Sequence, residues 1–146
     1  MGKTRIKLIG GEEKEEKKEE KKVKTAKKKK YIAKGIFYIN ASSNNTILTF
    51  TDENGNVLCW SSCGSSGFKN TKKATPYAGA KATEALLEKV TSAFDVNEAK
   101  IIVKGIGPGR ESAIRVLFNS NLNITSIEDR TPIPFGGPKP SRPRRV

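Results

Sequence analysis

Residues 101–118 read IIVKGIGPGRESAIRVLF, and the order of residue types in this stretch decides the fold. The apolar, β-branched run at 101–103 predicts a buried strand. Three alternate glycines follow and predict a tight turn, and Pro108 suits the first turn of a helix because its missing N–H costs nothing there. Apolar residues then recur at helical spacing, which predicts a helix with one apolar face: Ala113, Ile114, Leu117 and Phe118.

The start of this predicted helix is a candidate anion site. A strand, a glycine turn and a helix in that order leave backbone N–H groups free at the helix start, where they can bind a phosphate. Gly107 and Gly109 would allow the close approach, and Arg110 would add a full charge. The alternative is a turn that only packs the helix onto the sheet. We prefer the phosphate interpretation because a purely structural turn needs no charge at Arg110.

Three strands are predicted before this unit. Residues 36–41 alternate with the period of a strand, residues 47–51 are rich in β-formers, and residues 57–62 follow them. Asn44-Asn45 predicts the first turn, and Asn54-Gly55 is a strong hairpin signal. The three strands should form an antiparallel meander, with Trp60 packed in the core.

A helix and a final strand complete the predicted domain. Thr75 is a predicted helix cap with Pro76 in the first turn, and the helix should run to about Phe94. Residues 122–127 predict a fifth strand. The order is therefore βββαβαβ, an α/β fold with a mixed five-stranded sheet and two crossover helices.

The predicted topology gathers polar features on one side of the sheet. Crossover helices make strands three, four and five parallel, and the meander makes strand one parallel to strand three. Open α/β sheets bind ligands outside the carboxyl ends of their strands. We therefore expect the Asn44-Asn45 turn, the basic loop at 63–75, the helix start at 107–110 and the C-terminal tail to lie at one edge.

Charge divides the chain into three parts. Residues 1–30 carry a net charge of +7, residues 31–130 of +2 and residues 131–146 of +4. Residues 12–22 are all Glu or Lys, which predicts a disordered extension over 1–30. Five of the seven prolines fall in 131–146, which predicts an extended basic tail after a single domain at 31–130. Basic ends on a balanced domain favour nucleic-acid binding, and solvated tails that aid solubility are the alternative.

RNA binding is the first interpretation of the predicted edge. Basic side chains would neutralise phosphates, and the asparagines would hydrogen-bond to sugar hydroxyls and bases. The glycines would let a phosphate approach the backbone N–H groups closely. Phe68 would either stack on an unpaired base or anchor its loop in the core. The alternative for the nearby lysines is a solvated loop that does not contact RNA. The candidate RNA-binding residues are Asn44, Asn45, Phe68, Lys69, Lys72, Lys73, Gly107, Gly109, Arg110, Arg115, Lys139, Arg142, Arg144 and Arg145.

A nucleotide-binding enzyme is the second interpretation. Gly105, Gly107 and Gly109 loosely match a dinucleotide fingerprint, with Glu128 and Asp129 about 20 residues further on. The third glycine comes one residue too early for that fingerprint, and the chain has no histidine to serve as a general base or metal ligand. We therefore expect no catalytic residues, no metal and no cofactor.

The two cysteines indicate a reduced compartment. If Cys59 and Cys63 lie on one strand, they are about 13 Å apart at roughly 3.3 Å per residue. A disulfide needs Cα atoms within about 7 Å of each other. No apolar run in the sequence approaches the length of a membrane span, so we expect a cytoplasmic protein without a membrane partner.

The chain also resembles a known family, the S-eleven small-subunit ribosomal proteins in their bacterial form. The similarity runs in order from about Lys27 to Val146. The matching motifs include Asn44-Asn45-Thr46, Gly67-Phe68-Lys69, Thr75-Pro76-Tyr77-Ala78, Gly107-Pro108-Gly109-Arg110-Glu111-Ser112, Thr131-Pro132-Ile133-Pro134 and Arg144-Arg145-Val146.

The resemblance implies a ribonuclease-H-like sheet and a structural role in the small ribosomal subunit. It implies binding to small-subunit ribosomal RNA on the platform, near the exit path of messenger RNA, with a role in subunit assembly and translation. The neighbours it implies are ribosomal proteins S-seven, S-eighteen and, in many bacteria, S-twenty-one. Residues 1–26 have no clear counterpart in the family.

Overall fold

A computed structural model describes residues 30–142 of the chain, and these residues form one sheet with two helices. Residues 1–29 of the predicted extension (1–30) and the last four residues of the predicted tail lie outside the described residues, and Lys30 is the first residue of a strand. The elements are β1 (Lys30–Ala41), β2 (Thr46–Asp52), β3 (Val57–Ser62), a short 3-10 helix (Asn70–Ala74), α1 (Pro76–Ala93), β4 (Phe94–Lys104), α2 (Gly109–Phe118) and β5 (Asn123–Asp129).

The predicted βββαβαβ order and mixed five-stranded sheet are confirmed. The strands lie in the order β3-β2-β1-β4-β5. The meander pairs β1 with β2 and β2 with β3 in antiparallel fashion, whereas β4 lies parallel to both β1 and β5. The β2–β3 hairpin closes at the predicted turn, where Gly55 has a φ of 85° and donates to Asp52 O at 3.0 Å. The carboxyl ends of β1, β3, β4 and β5 therefore point to one edge.

Two strands are longer than the sequence pattern predicts. β1 begins at Lys30 rather than near Gly35, and β4 begins at Phe94 rather than at Ile101. The added halves pair with each other in parallel, from Lys30 opposite Phe94 onwards. This pairing satisfies the backbone groups of both segments, which mix apolar and charged residues, and Ile32, Phe94 and Val96 pack against the core.

Both helices cover the same face of the sheet. The crossovers β3–α1–β4 and β4–α2–β5 progress in one direction across the sheet, so two right-handed connections put both helices on one side. α1 and α2 contact each other there. The core between them and the sheet is fully buried, and its larger members are Phe37, Ile39, Leu48, Phe50, Leu86, Ile101, Val103 and Leu117.

The opposite face of the sheet has no helix over it in the described part of the chain. The expectation that Trp60 packs in the core is wrong, since its side chain is 58% exposed on this open face. Trp60 pairs with Thr49, whereas the neighbouring Leu48 and Phe50 point into the core. Residues 57–60 are all apolar, so alternation along β3 does not indicate which of them face inward.

Candidate nucleic-acid interface

The segments that follow β1, β3, β4 and β5 meet at one edge of the sheet, which we call the C-terminal edge. It holds the turn at residues 42–45, the lysine loop (residues 63–74), the glycine turn (residues 105–110) and the start of the C-terminal arm (residues 131–146). Backbone hydrogen bonds join neighbouring segments: Gly107 N–H donates to Ala41 O at 2.9 Å, and Cys63 N–H donates to Thr46 O at 3.1 Å.

The glycine turn is packed against the rest of the edge. Gly105 has a φ of 89°, and a Cβ there would lie 2.2 Å from Ala41 O. A Cβ on Gly107 would lie 2.1 Å from Ser42 O, and one on Gly109 would lie 2.1 Å from Thr46 Oγ1. Gly107 and Gly109 are both buried. Close contact with the protein itself therefore accounts for these glycines without a phosphate.

The two helices begin at the same place. A Cβ on Gly79, in the first turn of α1, would lie 2.9 Å from Gly109 Cα, in the first turn of α2. The predicted cap of α1 is confirmed, because Thr75 Oγ1 accepts from Ala78 N–H at 3.2 Å. Both positively polarised helix ends therefore lie at the C-terminal edge.

Two expectations about the glycine turn need correction. Gly107 N–H does not point outward, because it donates to Ala41 O. Arg110 is not a free charge beside the helix start: Nη2 donates to Asp129 Oδ2 at 2.7 Å, and Nη1 donates to Gly105 O at 3.0 Å. Arg110 therefore ties the glycine turn to the end of β5.

Asp129 is the centre of this junction. Its Oδ1 accepts from the Thr131 hydroxyl at 2.6 Å and from Thr131 N–H at 3.0 Å, and Thr131 Oγ1 in turn accepts from Gly105 N–H at 3.1 Å. Hydrogen bonds lower the pKa of Asp129 from its ordinary value of 3.8 to about 2. The largest contribution comes from the Thr131 hydroxyl and the second from Arg110. The carboxylate thus fixes the direction in which the C-terminal arm leaves the sheet.

Glu128, on the other face of β5, is also neutralised by cations of the protein itself. It is paired with Lys100, and Arg130 Nη2 lies 2.8 Å from Glu128 Oε2. Hydrogen bonds lower the pKa of Glu128, and the one from Lys100 contributes more than the one from Arg130. Both carboxylates that the enzyme interpretation assigned to a nucleotide are therefore engaged in ion pairs.

The turn at 42–45 is closed by its own hydrogen bonds. Ser42 N–H and the Ser42 hydroxyl both donate to Asn45 O at 2.9 Å, and Asn45 N–H donates to Ser42 Oγ at 3.1 Å. The Asn44 side chain is exposed at the tip. Asn45 Oδ1 is buried and has no hydrogen-bond partner among the described residues. Of the two predicted asparagines, Asn44 is therefore the accessible one.

The lysine loop is ordered by hydrogen bonds among serines and by one aromatic side chain. Ser65 Oγ accepts from Ser62 N–H and donates to Ser62 O, both at 2.9 Å. Phe68 is half-buried and packs against the core, with its ring edge-on to Tyr77 at a centroid distance of 5.9 Å. Of the two interpretations of Phe68, the structure supports the loop anchor.

The lysines of this loop point away from the core. Lys69 and Lys72 are exposed and Lys73 is half-buried. None of the three forms an ion pair with a carboxylate in residues 30–142, in contrast to Arg110. Arg115, on α2, lies 4.0 Å from Glu111 on a fully solvated helix surface. Lys69 and Lys72 are thus exposed cations of the C-terminal edge without a carboxylate partner in residues 30–142.

The described part of the arm, residues 131–142, has no helix or strand. Lys139 and Arg142 are exposed, and Arg144 and Arg145 lie outside the described residues. Three exposed apolar side chains at this edge were not among the predicted site residues: Ile106 (87%), Ile133 (72%) and Phe135 (95%). The sequence did contain a signal for them. All three are apolar residues next to prolines or glycines in loops, where the chain cannot bury them in a helix or a sheet.

Other kinds of site find little support in the described residues. No three His, Cys, Asp or Glu side chains within 30–142 are placed to hold a metal ion. Cys59 and Cys63 are free thiols, and burial raises the pKa of Cys59. Neither helix in this part of the chain combines the length and apolar character that a membrane span requires.

Comparison with known proteins identifies the family. The family model described as Ribosomal protein S11 matches residues 35–145. The chain is 46% identical to a protein of Janthinobacterium sp. (strain Marseille), over 81% of this chain and 87% of that protein. It is 47% identical to one of Buchnera aphidicola subsp. Cinara cedri (strain Cc), over 81% and 90% of the two chains. Both are named small ribosomal subunit protein uS11. This family is a structural, non-enzymatic component of the ribosome, and the chain belongs to the ribosomal protein S11 family.

Proposed function

We propose that the chain binds small-subunit ribosomal RNA through the C-terminal edge and so holds its place on the platform of the small subunit, near the exit path of messenger RNA. Binding there would support subunit assembly and translation in the cytoplasm. The proposed neighbours are ribosomal proteins S-seven, S-eighteen and, where it is present, S-twenty-one.

One observation carries this proposal: the lysine loop presents cations that no described carboxylate neutralises. Lys69 and Lys72 are exposed beside the starts of both helices, where the helix dipoles add positive potential. Phosphates neutralised by lysine release counterions, and this release supplies most of the sequence-independent affinity for RNA. The lysine loop is therefore the main electrostatic contact.

The turn at 42–45 and the arm would add contacts of a different kind. Asn44 is exposed beside the glycine turn and offers a donor and an acceptor to sugar hydroxyls or base edges. Lys139 and Arg142 lie on an extended, proline-rich segment whose stiffness reduces the entropy lost on binding. Arg144 and Arg145 would continue this contact, since arginine grips phosphate with two hydrogen bonds.

The salt dependence of RNA binding tests this proposal. The variant Lys69→Ala/Lys72→Ala should bind a central-domain fragment of small-subunit ribosomal RNA more weakly than the unmodified chain. The slope of log Kd against log salt should fall by roughly 1.4 to 1.8, because each phosphate contact contributes about 0.7 in single strands and 0.9 in duplexes. Filter binding over a series of salt concentrations measures both quantities.

The matched control removes the same charge from elsewhere. Lys81→Ala/Lys89→Ala takes two lysines from α1, where Lys81 is paired with Glu84 and Lys89 donates to Trp60 O. This control should leave the slope unchanged. Equal slopes in the two double variants would place Lys69 and Lys72 in solvent and reject the lysine loop as the contact.

A further inference from the structure

The open face of the sheet carries a row of side chains that the C-terminal edge does not use. Backbone pairing aligns five residues of successive strands on this face. Trp60 is exposed at one end of the row and Tyr38 is half-buried near its middle. The row is Trp60, Thr49, Tyr38, Ile102 and Glu128.

A second row lies next to the first, on the side of the C-terminal edge. It consists of Ser62, Ile47, Asn40 and Lys104, and Arg130 extends it because its N–H donates to Val103 O beside Lys104. This row holds two cations and no carboxylate. The one carboxylate of the first row, Glu128, is already shared between Lys100 and Arg130. The two rows form the half of the open face next to the C-terminal edge, which we call the upper half. Its cation without a carboxylate partner in residues 30–142 is Lys104.

The lower half of this face differs in charge. A shallow cavity there is lined by side chains of both signs, including Lys34, Glu53, Glu98 and Lys100. The positive potential is thus confined to the half that adjoins the C-terminal edge. Two exposed features coincide only in the upper half: an aromatic ring, that of Trp60, and a cation that no carboxylate in residues 30–142 pairs, Lys104.

The geometry points to an RNA-stacking surface, on which an unpaired segment of small-subunit ribosomal RNA lays a base on Trp60 and directs its phosphates toward Lys104. Sheets that bind single-stranded RNA stack its bases on aromatic side chains of an open face. Trp60 and Lys104 are three strands and one row apart, roughly 16 Å at about 4.8 Å per strand and about 3.3 Å per residue, so one RNA segment can contact both. The inference rests on the proposed function and extends it to a second surface.

A protein partner fits this face less well than RNA. The centre of a protein interface is depleted in charged residues. Here the polar Thr49 and Asn40 separate the apolar side chains, and Lys104 and Arg130 border them. Base stacking tolerates such a surface, because it needs one exposed ring plane and nearby cations rather than a continuous apolar area.

Trp60 is the only tryptophan of the chain, so its fluorescence reports directly on this surface. The full-length protein is titrated with single-stranded RNA of about 12 nucleotides and, separately, with the same sequence as a duplex. Single-stranded RNA should quench the emission of Trp60, whereas the duplex should bind without quenching because its bases are already stacked. Trp60→Leu, which keeps an apolar side chain but no ring, should bind single-stranded RNA about tenfold more weakly.

Phe118→Leu is the matched control, since Phe118 is 55% exposed at the far end of α2, on the other face of the sheet. It should leave RNA affinity unchanged. RNA binding without quenching, together with equal affinity of Trp60→Leu, overturns the stacking surface and leaves the C-terminal edge standing. A protein that binds no RNA at all overturns both proposals.

Cross-linking in assembled subunits identifies the occupant even if Trp60→Leu fails to fold. Full-length protein with Trp60→benzoylphenylalanine is incorporated into small subunits and irradiated. A cross-link to small-subunit ribosomal RNA supports the inference. A cross-link to a ribosomal protein or to messenger RNA, or no cross-link, overturns it.

Discussion

The glycine turn and the lysine loop lie at the same edge and both combine glycines with positive charge, yet they are built differently. In the glycine turn, Gly107 and Gly109 are buried and Arg110 is paired with Asp129. In the lysine loop, Lys69 and Lys72 are exposed and unpaired within residues 30–142, and a Cβ on Gly64 would meet no atom closer than 3.8 Å.

This difference separates the residues that build the edge from those that are free to bind. In the glycine turn, the charge of Arg110 is neutralised by an internal ion pair, and the glycines are in close contact with neighbouring segments. The lysine loop keeps its charges outside the packed structure, where replacing them disturbs no internal contact. Charge that is already paired inside the fold adds less to phosphate affinity than charge that is not.

The largest expected effect comes from filling the glycine turn. Gly109→Val should lower the free energy of unfolding by about 3 kcal/mol, because its side chain would overlap Thr46 and Gly79. Gly64→Ala in the lysine loop should change it by less than about 0.5 kcal/mol. Urea denaturation of the two variants measures both values. Equal stabilities would remove the distinction between the two regions.

A smaller effect is expected from acid, at the junction of Asp129, Arg110 and Thr131. The pKa of Asp129 is lower in the folded than in the unfolded chain, so its stabilising contribution is present above pH 3.8 and is lost as the pH falls toward 2. In Asp129→Asn this part of the acid dependence should be absent. Denaturation at several pH values between 2 and 5 compares the two proteins.

Thr131→Val sharpens the same test. It removes the hydroxyl that contributes most to the low pKa of Asp129, and Gly105 N–H loses its acceptor. The carboxylate of Asp129 should then titrate closer to its ordinary range, as followed by NMR. Titration of Asp129 near 3.8 in the unmodified protein would contradict the junction.

The smallest effect on stability is expected from the arm. Removing residues 138–146 should leave the thermal midpoint unchanged, because the described residues of this segment are exposed and in neither helix nor strand. The same truncation should impair entry into small subunits in competition with the full-length protein, as judged by sedimentation. Normal incorporation would show that the arm does not contribute to RNA binding.

Much of the fold follows from local patterns. The glycine turn between 101–103 and a helix, the Asn54-Gly55 hairpin and the Thr75-Pro76 helix start each appear where the sequence predicts them. Crossover helices make β3, β4 and β5 parallel and the meander makes β1 parallel to β3, which places four strand ends at one edge. The family motifs can also be recognised from local sequence, since each consists of contiguous residues and their spacing is fixed.

The order of the elements and the basic character of the C-terminal edge follow from the sequence alone, because turn chemistry, helix caps and charge are properties of neighbouring residues. Which charges are free and which faces are covered depends instead on how distant segments pack. Arg110 meets Asp129 from 19 residues away, β1 extends to Lys30 because β4 pairs with it, and Trp60 is exposed because both crossovers lie on the other face. These outcomes depend on contacts between distant segments, and no local pattern encodes such contacts.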